Sequence, residues 1–144
     1  MRPVGHLVVS VVGSGIIFGI YKNFSACAIF FISNILMDID HFFDYFYNNG
    51  IKFVWLKDLH DWCYDNQARK LLLIFHSFEL IFILWLIILI FKVGMIWFWF
   101  AVGLTVHLIS DQLTNPLLGP SYFLIYRHKK KFRSEELFFH RERK

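Results

Sequence analysis

The sequence predicts an all-α integral membrane protein: a four-helix bundle with both termini cytoplasmic and a short interfacial amphipathic helix in its central loop. Three observations carry this expectation. Hydrophobic residues fill 57% of the 144 positions and the mean hydropathy is +0.50, more apolar surface than a soluble domain of this length can hide. The apolar positions gather into four runs. Lys and Arg are distributed unevenly among the intervening segments, as they are around membrane spans.

The first run covers residues 4–20 and is rich in Val, Ile and Gly. Only Tyr21-Lys22-Asn23 separates it from the second, residues 24–41, so the two read as a helical hairpin. The third, residues 71–91, is about 20 residues long, enough to span hydrocarbon unaided. The fourth covers residues 93–114. Buried helices of a soluble bundle would carry polar faces that these runs lack. With the N-terminus inside, Arg2, the central-loop residues Lys52, Lys57, Arg69 and Lys70, and eight tail residues face the cytoplasm. Only Lys22 and Lys92 face outward, thirteen basic residues against two.

These spans make residues 1–120 one transmembrane helical domain and residues 121–144 a basic cytoplasmic tail. In the central loop Ile51, Trp55, Leu59 and Trp62 recur at helical spacing, with Lys52, Lys57, Asp58 and Asp61 off the stripe. Such a stripe suits a helix lying among lipid headgroups, or one packed against the bundle. Asn115-Pro116 and Gly119-Pro120 are turn signals. Arg127-His128-Lys129-Lys130-Lys131 then opens the tail, as a topology anchor that also attracts anionic lipid. The net charge of +4 comes mainly from that tail, and no zinc-finger or RNA-binding signature accompanies it, so nucleic acid is not an expected partner. Cys27 and Cys63 form no CxxC and fall on opposite sides of the membrane, which argues against a disulfide or a thiolate-bound zinc.

The polar residues inside the apolar runs point to chemistry. His6 opens the first helix; Asp38, Asp40 and His41 close the second; His107 and Asp111 close the fourth. His76 and Glu79 would lie roughly 9 and 14 Å into the third at helical rise. Every helix thus brings a metal-ligand type of side chain to the cytoplasmic half. Asn34, Asp38 and His41 share a helix face, which Asp44 extends, and His107, Asp111 and Thr114 share another. His6, Ser10 and Gly13 give the first helix a small polar stripe. Asp40 points about 100° from His41 on an unbroken helix, so it needs a bent end to join them.

Taken singly, each residue has an ordinary account. His6 suits an interfacial side chain, Asp38 or Asp40 a helix cap or a partner for Arg69 or Lys70, His76 an interhelical hydrogen bond, and His107 with Asp111 a self-satisfied pair. Together these accounts require four helices to bury unrelated polar groups at one depth, at a cost of a few kcal/mol each. A shared metal site explains them with one cause. His60, His128 and His140 read as solvated.

The arrangement resembles a known family. Gly5-His6, Asp38-Ile39-Asp40-His41, His76-Ser77, and His107 with Asp111 and Thr114 in H-x-x-x-D-x-x-T spacing resemble the membrane-bound metal-dependent hydrolases of the LexA-regulated type, found in bacterial and archaeal inner membranes. Many relatives carry a further His five residues before the position of His76, where this chain has Leu71. Glu79 is the residue that could substitute for it.

The resemblance implies a hydrolase in the prokaryotic inner membrane. The expected ligands are His6, Asp38, Asp40, His41, His76, His107 and Asp111, enough for one or two ions or for ligands with supporting partners. Zinc is the first expectation because imidazole dominates, with manganese or iron as alternatives. Glu79 or Asp40 would act as the base. A site beside lipid headgroups and a basic tail suggests a lipid-like or phosphoester substrate. The alternatives are non-enzymatic: a divalent-metal or proton pathway, which would need polar residues in the outer half, or a partner-binding bundle whose polar cluster fixes helix register.

Overall fold

The computed structural model describes residues 3–51, 55, 59, 62 and 69–139. Its α-helices are α1 (Pro3–Tyr21), α2 (Phe24–Leu36), α3 (Asp40–Asn49), α4 (Phe78–Phe91), α5 (Met95–Thr114) and α6 (Leu124–Lys129), with 3-10 turns at Met37–Ile39, Gly119–Tyr122 and Ser134–Glu136. The chain divides into two compact units. One comprises Met1–Met37 with Phe78–Thr114, the other Asp38–Ser77 with Asn115–Lys144.

The first unit is built from α1, α2, α4 and α5. Lys22, at φ 51°, turns the chain out of α1. Asn23 then caps α2, its side chain accepting the Ala26 N–H at 3.1 Å, which satisfies one of the amide donors a helix start leaves open. α2 packs on both α1 and α5, and α5 also packs on α4. Small residues permit the close approach. A Cβ on Gly103 would overlap Ser33 Oγ and come within 2.7 Å of the Phe30 carbonyl oxygen, and one on Gly13 would meet the Phe30 ring. Ile17, Ala26, Cys27, Phe30 and Trp99 form the apolar core here. The Trp85 Nε1–H donates to Thr105 Oγ1 at 3.0 Å, tying α4 to α5.

This unit is polar at its centre and apolar at its surface. His6, Ser10, Asn34, His107 and Asp111 are buried, while Val4, Phe82 and Ile90 are exposed by 70%, 63% and 68%. That inversion suits lipid as the solvent, where backbone groups bond within helices and polar side chains turn inward. Among the described residues, three helices are long and apolar enough to cross a membrane: Pro3–Tyr21, Met95–Thr114, and Phe24–Asn49 counted through its 3-10 turn. Phe78–Phe91 is apolar but shorter. These properties are consistent with a membrane protein.

The helix expected over residues 71–91 is observed only from Phe78. Residues 71–77 are not helical, and Leu73 sits at φ 39°, a conformation that a branched residue adopts only when its surroundings impose it. The estimate of depth for His76 from helical rise therefore does not apply. The cause lies in the second unit, where side chains replace the helical hydrogen bonds of this segment. Asp44 accepts the N–H groups of Leu72 and Leu73 at 3.0 and 3.2 Å. Asp40 accepts those of Phe75 and His76, and Asn48 Oδ1 those of Arg69 and Lys70. Asp40, Asp44 and Asn48 are spaced i, i+4, i+8 and form one stripe of α3.

The C-terminal segment is likewise built in. Isolated antiparallel bridges pair Lys70 with Arg133 and Leu117 with Phe138. Leu71 N–H donates to the Phe132 carbonyl at 2.9 Å and Leu118 N–H to that of Leu137 at 2.8 Å. Leu137 and Arg127 are buried. Residues 115–139 thus share a unit with the described residues of 38–77. Of the central-loop stripe, Leu59 and Trp62 are buried and Ile51 and Trp55 exposed. Trp62 stands edge-on to Tyr45 at 5.2 Å. The remainder of that expected interfacial helix, Lys52, Lys57, Asp58 and Asp61 included, lies outside the described residues.

Candidate metal centre

The first unit gathers His6 from α1 and His107 and Asp111 from α5, each offering one ligand atom within 4.8 Å of the others. All three side chains are buried. The two imidazoles stack face to face, with centroids 3.8 Å apart and planes 6° from parallel. Both turn an edge to the same carboxylate: His6 Nε2 lies 2.9 Å from Asp111 Oδ1, and His107 Nε2 lies 3.5 Å from Asp111 Oδ2. His107 and Asp111 meet because residues four apart stack on one helix face.

The hydrogen bond behind His107 sets its tautomer. His107 Nδ1 is 2.6 Å from the backbone carbonyl oxygen of Asn34. A carbonyl only accepts, so Nδ1 carries a proton, and in the neutral ring Nε2 is the lone-pair nitrogen on the side of Asp111. A lone pair facing a carboxylate oxygen is an arrangement that a cation completes. Metal-binding histidines show the same pattern, their second nitrogen bonded to a carbonyl or carboxylate. His6 Nδ1 is buried with no hydrogen-bond partner among the described residues. Two imidazoles and a carboxylate are a donor set that a divalent metal ion accepts, and these three residues could hold one.

Asn34 organises this centre from α2. Its amide Nδ2 donates to the Gly103 carbonyl at 3.2 Å. The Ser10 hydroxyl, 2.7 Å from the His6 carbonyl and 3.0 Å from Asn34 Oδ1, shares its one proton between those acceptors. Asn34 therefore links α1, α2 and α5 around His6 and His107. Thr114, expected on the face of His107, is exposed and donates to the Ser110 carbonyl instead.

The other expected ligands belong to the second unit. A 3-10 turn, Met37–Ile39, separates Asp40 from α2. Asp40 Oδ2 accepts the Phe75 N–H at 2.6 Å and the His76 N–H at 3.2 Å, and faces His76 Nδ1 at 3.3 Å. This atom acts as an acceptor, so it holds the proton of His76 on Nδ1. Asp38 Oδ1 lies 3.7 Å from His41 Nε2, both half-buried, and the His41 and His76 rings are 5.1 Å apart. Glu79 is half-buried in the first turn of α4 and belongs to no group of three or more ligand-type side chains among the described residues. His128 is exposed, as expected of a solvated residue; His60 and His140 lie outside the described residues.

Sequence reasoning underrated Arg127, the first residue of the basic run. It is buried, and its guanidinium donates to the carbonyls of Leu72 (2.7 Å), Leu73 (2.5 Å) and His76 (2.9 Å). Nothing in its local sequence separates it from Lys129 or Lys131. Asn48 was also missed, although its spacing from Asp40 and Asp44 was a usable signal.

Compared with family models, with curated proteins and with solved structures, the chain matches none.

Proposed function

We propose that this chain is a membrane-embedded, metal-dependent hydrolase of the prokaryotic inner membrane, with His6, His107 and Asp111 holding a divalent ion, zinc in the first instance. The observation that carries the reading is the pair of imidazoles converging on one buried carboxylate, with the proton of His107 kept on Nδ1. The resemblance of Gly5-His6, Asp38-Ile39-Asp40-His41, His76-Ser77 and the His107–Asp111–Thr114 motif to the LexA-regulated membrane hydrolases points the same way.

A divalent ion supplies Lewis acidity, polarising a phosphoryl or acyl oxygen and making water acidic enough to attack near neutral pH. The protein's own residues do the rest. Asn34 holds the ring of His107, and Asp111 balances the charge of the cation. In the second unit Asp40 orients His76, and Asp38 and His41 pair beside it, ligand-type side chains that we take as room for a second ion. Glu79, half-buried in the first turn of α4, is the carboxylate we assign as the base that accepts a proton from water, with Asp40 as the alternative. Apolar helices suit a lipid-like substrate, and a hard phosphoester oxygen suits the ion.

The test is hydrolysis of generic phosphoesters by purified protein in lipid. Activity is expected to depend on added divalent metal, to vanish with chelator, and to be lost in His107→Ala. Hydrolysis that persists unchanged in chelator and in His107→Ala would overturn the reading. The direct 2.9 Å contact of His6 with Asp111 favours a second reading, in which the cluster satisfies itself and fixes helix register. That reading predicts no bound metal.

A further inference from the structure

Residues 71–77 have lost their helical hydrogen bonds, yet His76 within them is buried and its ring is held at Nδ1. Four N–H donors of this stretch, those of Leu72, Leu73, Phe75 and His76, are met by α3 through Asp44 and Asp40. Three of its carbonyls are met by one group, the Arg127 guanidinium: Nη1 donates to those of Leu72 and Leu73, and Nη2 to that of His76. A planar fork spreads its donors over two nitrogens at a fixed separation, whereas an ammonium must reach every carbonyl from a single nitrogen. The gripped residues include Leu73 itself, whose positive φ requires outside support.

We infer that Arg127 is a positioning residue that presents His76: it fixes the peptide carrying the ring, so that the ring meets Asp40 through Nδ1 and keeps Nε2 as its lone-pair nitrogen. What His76 then binds rests on the metal-hydrolase reading, but the tautomer and its dependence on Arg127 do not. Arg127 thereby does a different job from the exposed Lys129 and Lys131 beside it. It acts through His76 and touches no substrate.

The experiment is nitrogen-15 NMR of the full-length, metal-free protein in lipid bilayers, with imidazole-labelled histidine and the His76 signals identified by their loss in His76→Gln. In the wild type, His76 is expected to show a protonated Nδ1 and an unprotonated Nε2. Arg127→Lys is expected to lose that single form, an Nε2–H signal appearing, while His107 retains its own Nδ1–H signature. A wild-type His76 protonated on Nε2, or an Arg127→Lys spectrum identical to wild type, would overturn the inference. Should Arg127→Lys also disturb His107, the wild type alone decides. Dipolar coupling between the Arg127 guanidinium nitrogens and a carbon-13 carbonyl at His76 is expected, and its absence would overturn the proposal. A protein that binds no metal yet shows His76 in the Nδ1–H form would refute the hydrolase reading and leave this inference standing.

Discussion

His107 donates its Nδ1–H to the backbone carbonyl of Asn34 across 2.6 Å, and this bond leaves Nε2 as the nitrogen that faces Asp111. The acceptor is backbone, so the orientation of His107 does not depend on the Asn34 side chain. The Asn34 amide has separate work, bonding Gly103 and Ser10. The two contributions can be separated by mutation.

Asn34→Ala should therefore cost stability more than metal binding. It removes two buried interhelical hydrogen bonds, for a loss of about 1–3 kcal/mol, read by thermal or steric-trap unfolding in detergent. Metal content should stay near that of the wild type. Loss of metal with unchanged stability would show that the side chain, and not the carbonyl, holds His107.

Gly103→Ala should separate tight packing from helix propensity. The new Cβ would strike Ser33 Oγ and the Phe30 carbonyl, and overpacking of that kind costs about 1–3 kcal/mol. Gly15 and Gly19 have nothing within 4 Å of a built Cβ, so Ala there should be neutral or stabilise by up to about 1 kcal/mol. Unfolding temperatures of the three variants side by side check this. Equal behaviour would mean that α2 and α5 do not approach as closely as described.

The contrast between Gly103 and Arg127 shows what the sequence made legible. Polar residues within apolar runs stood out because lipid makes them costly, so His6, His107 and Asp111 could be picked out, and the i, i+4 spacing joined the last two. The apolar runs likewise marked α1, α2 and α5. Residues 71–77 misled, because an unbroken apolar stretch reads as helix, while the groups that hold it in its non-helical form come from Asp40, Asp44 and Arg127, far away in sequence. Arg127 looked like one more anchor in a basic run. Its burial depends on the return of residues 115–139 alongside residues 69–76, which no local pattern encodes.

Arg127→Met should be among the most damaging substitutions in the C-terminal segment. It strips a charged donor from three carbonyls, and each bond to a charged group is worth about 1.5–3 kcal/mol. Lys130 offers the control. It bonds Glu136 at 2.7 Å at the surface, and that bond and charge raise the Lys130 pKa and lower that of Glu136. The contribution of Glu136 is lost as pH falls through its depressed pKa, and that of Lys130 as pH rises through its elevated one. Solvent screening makes both small, so Lys130→Ala should leave the unfolding temperature and its pH profile unchanged.

Asp44→Ala should open residues 71–77 locally. The amides of Leu72 and Leu73 lose their carboxylate acceptor, and their hydrogen exchange should quicken by at least about tenfold, the equivalent of about 1.4 kcal/mol of local opening. Amides of α5 should keep their protection. A uniform rise across both units would indicate global destabilisation instead.

Metal analysis of the purified protein, by elemental stoichiometry and X-ray absorption at the metal edge, is the most direct measurement. A bound divalent ion with nitrogen and oxygen neighbours at about 2.0–2.2 Å, lost in His107→Ala and in Asp111→Ala, is the predicted result. Wild-type protein without stoichiometric metal after growth in metal-replete medium, or unchanged metal content in both variants, would contradict the assignment of His6, His107 and Asp111 as a metal centre.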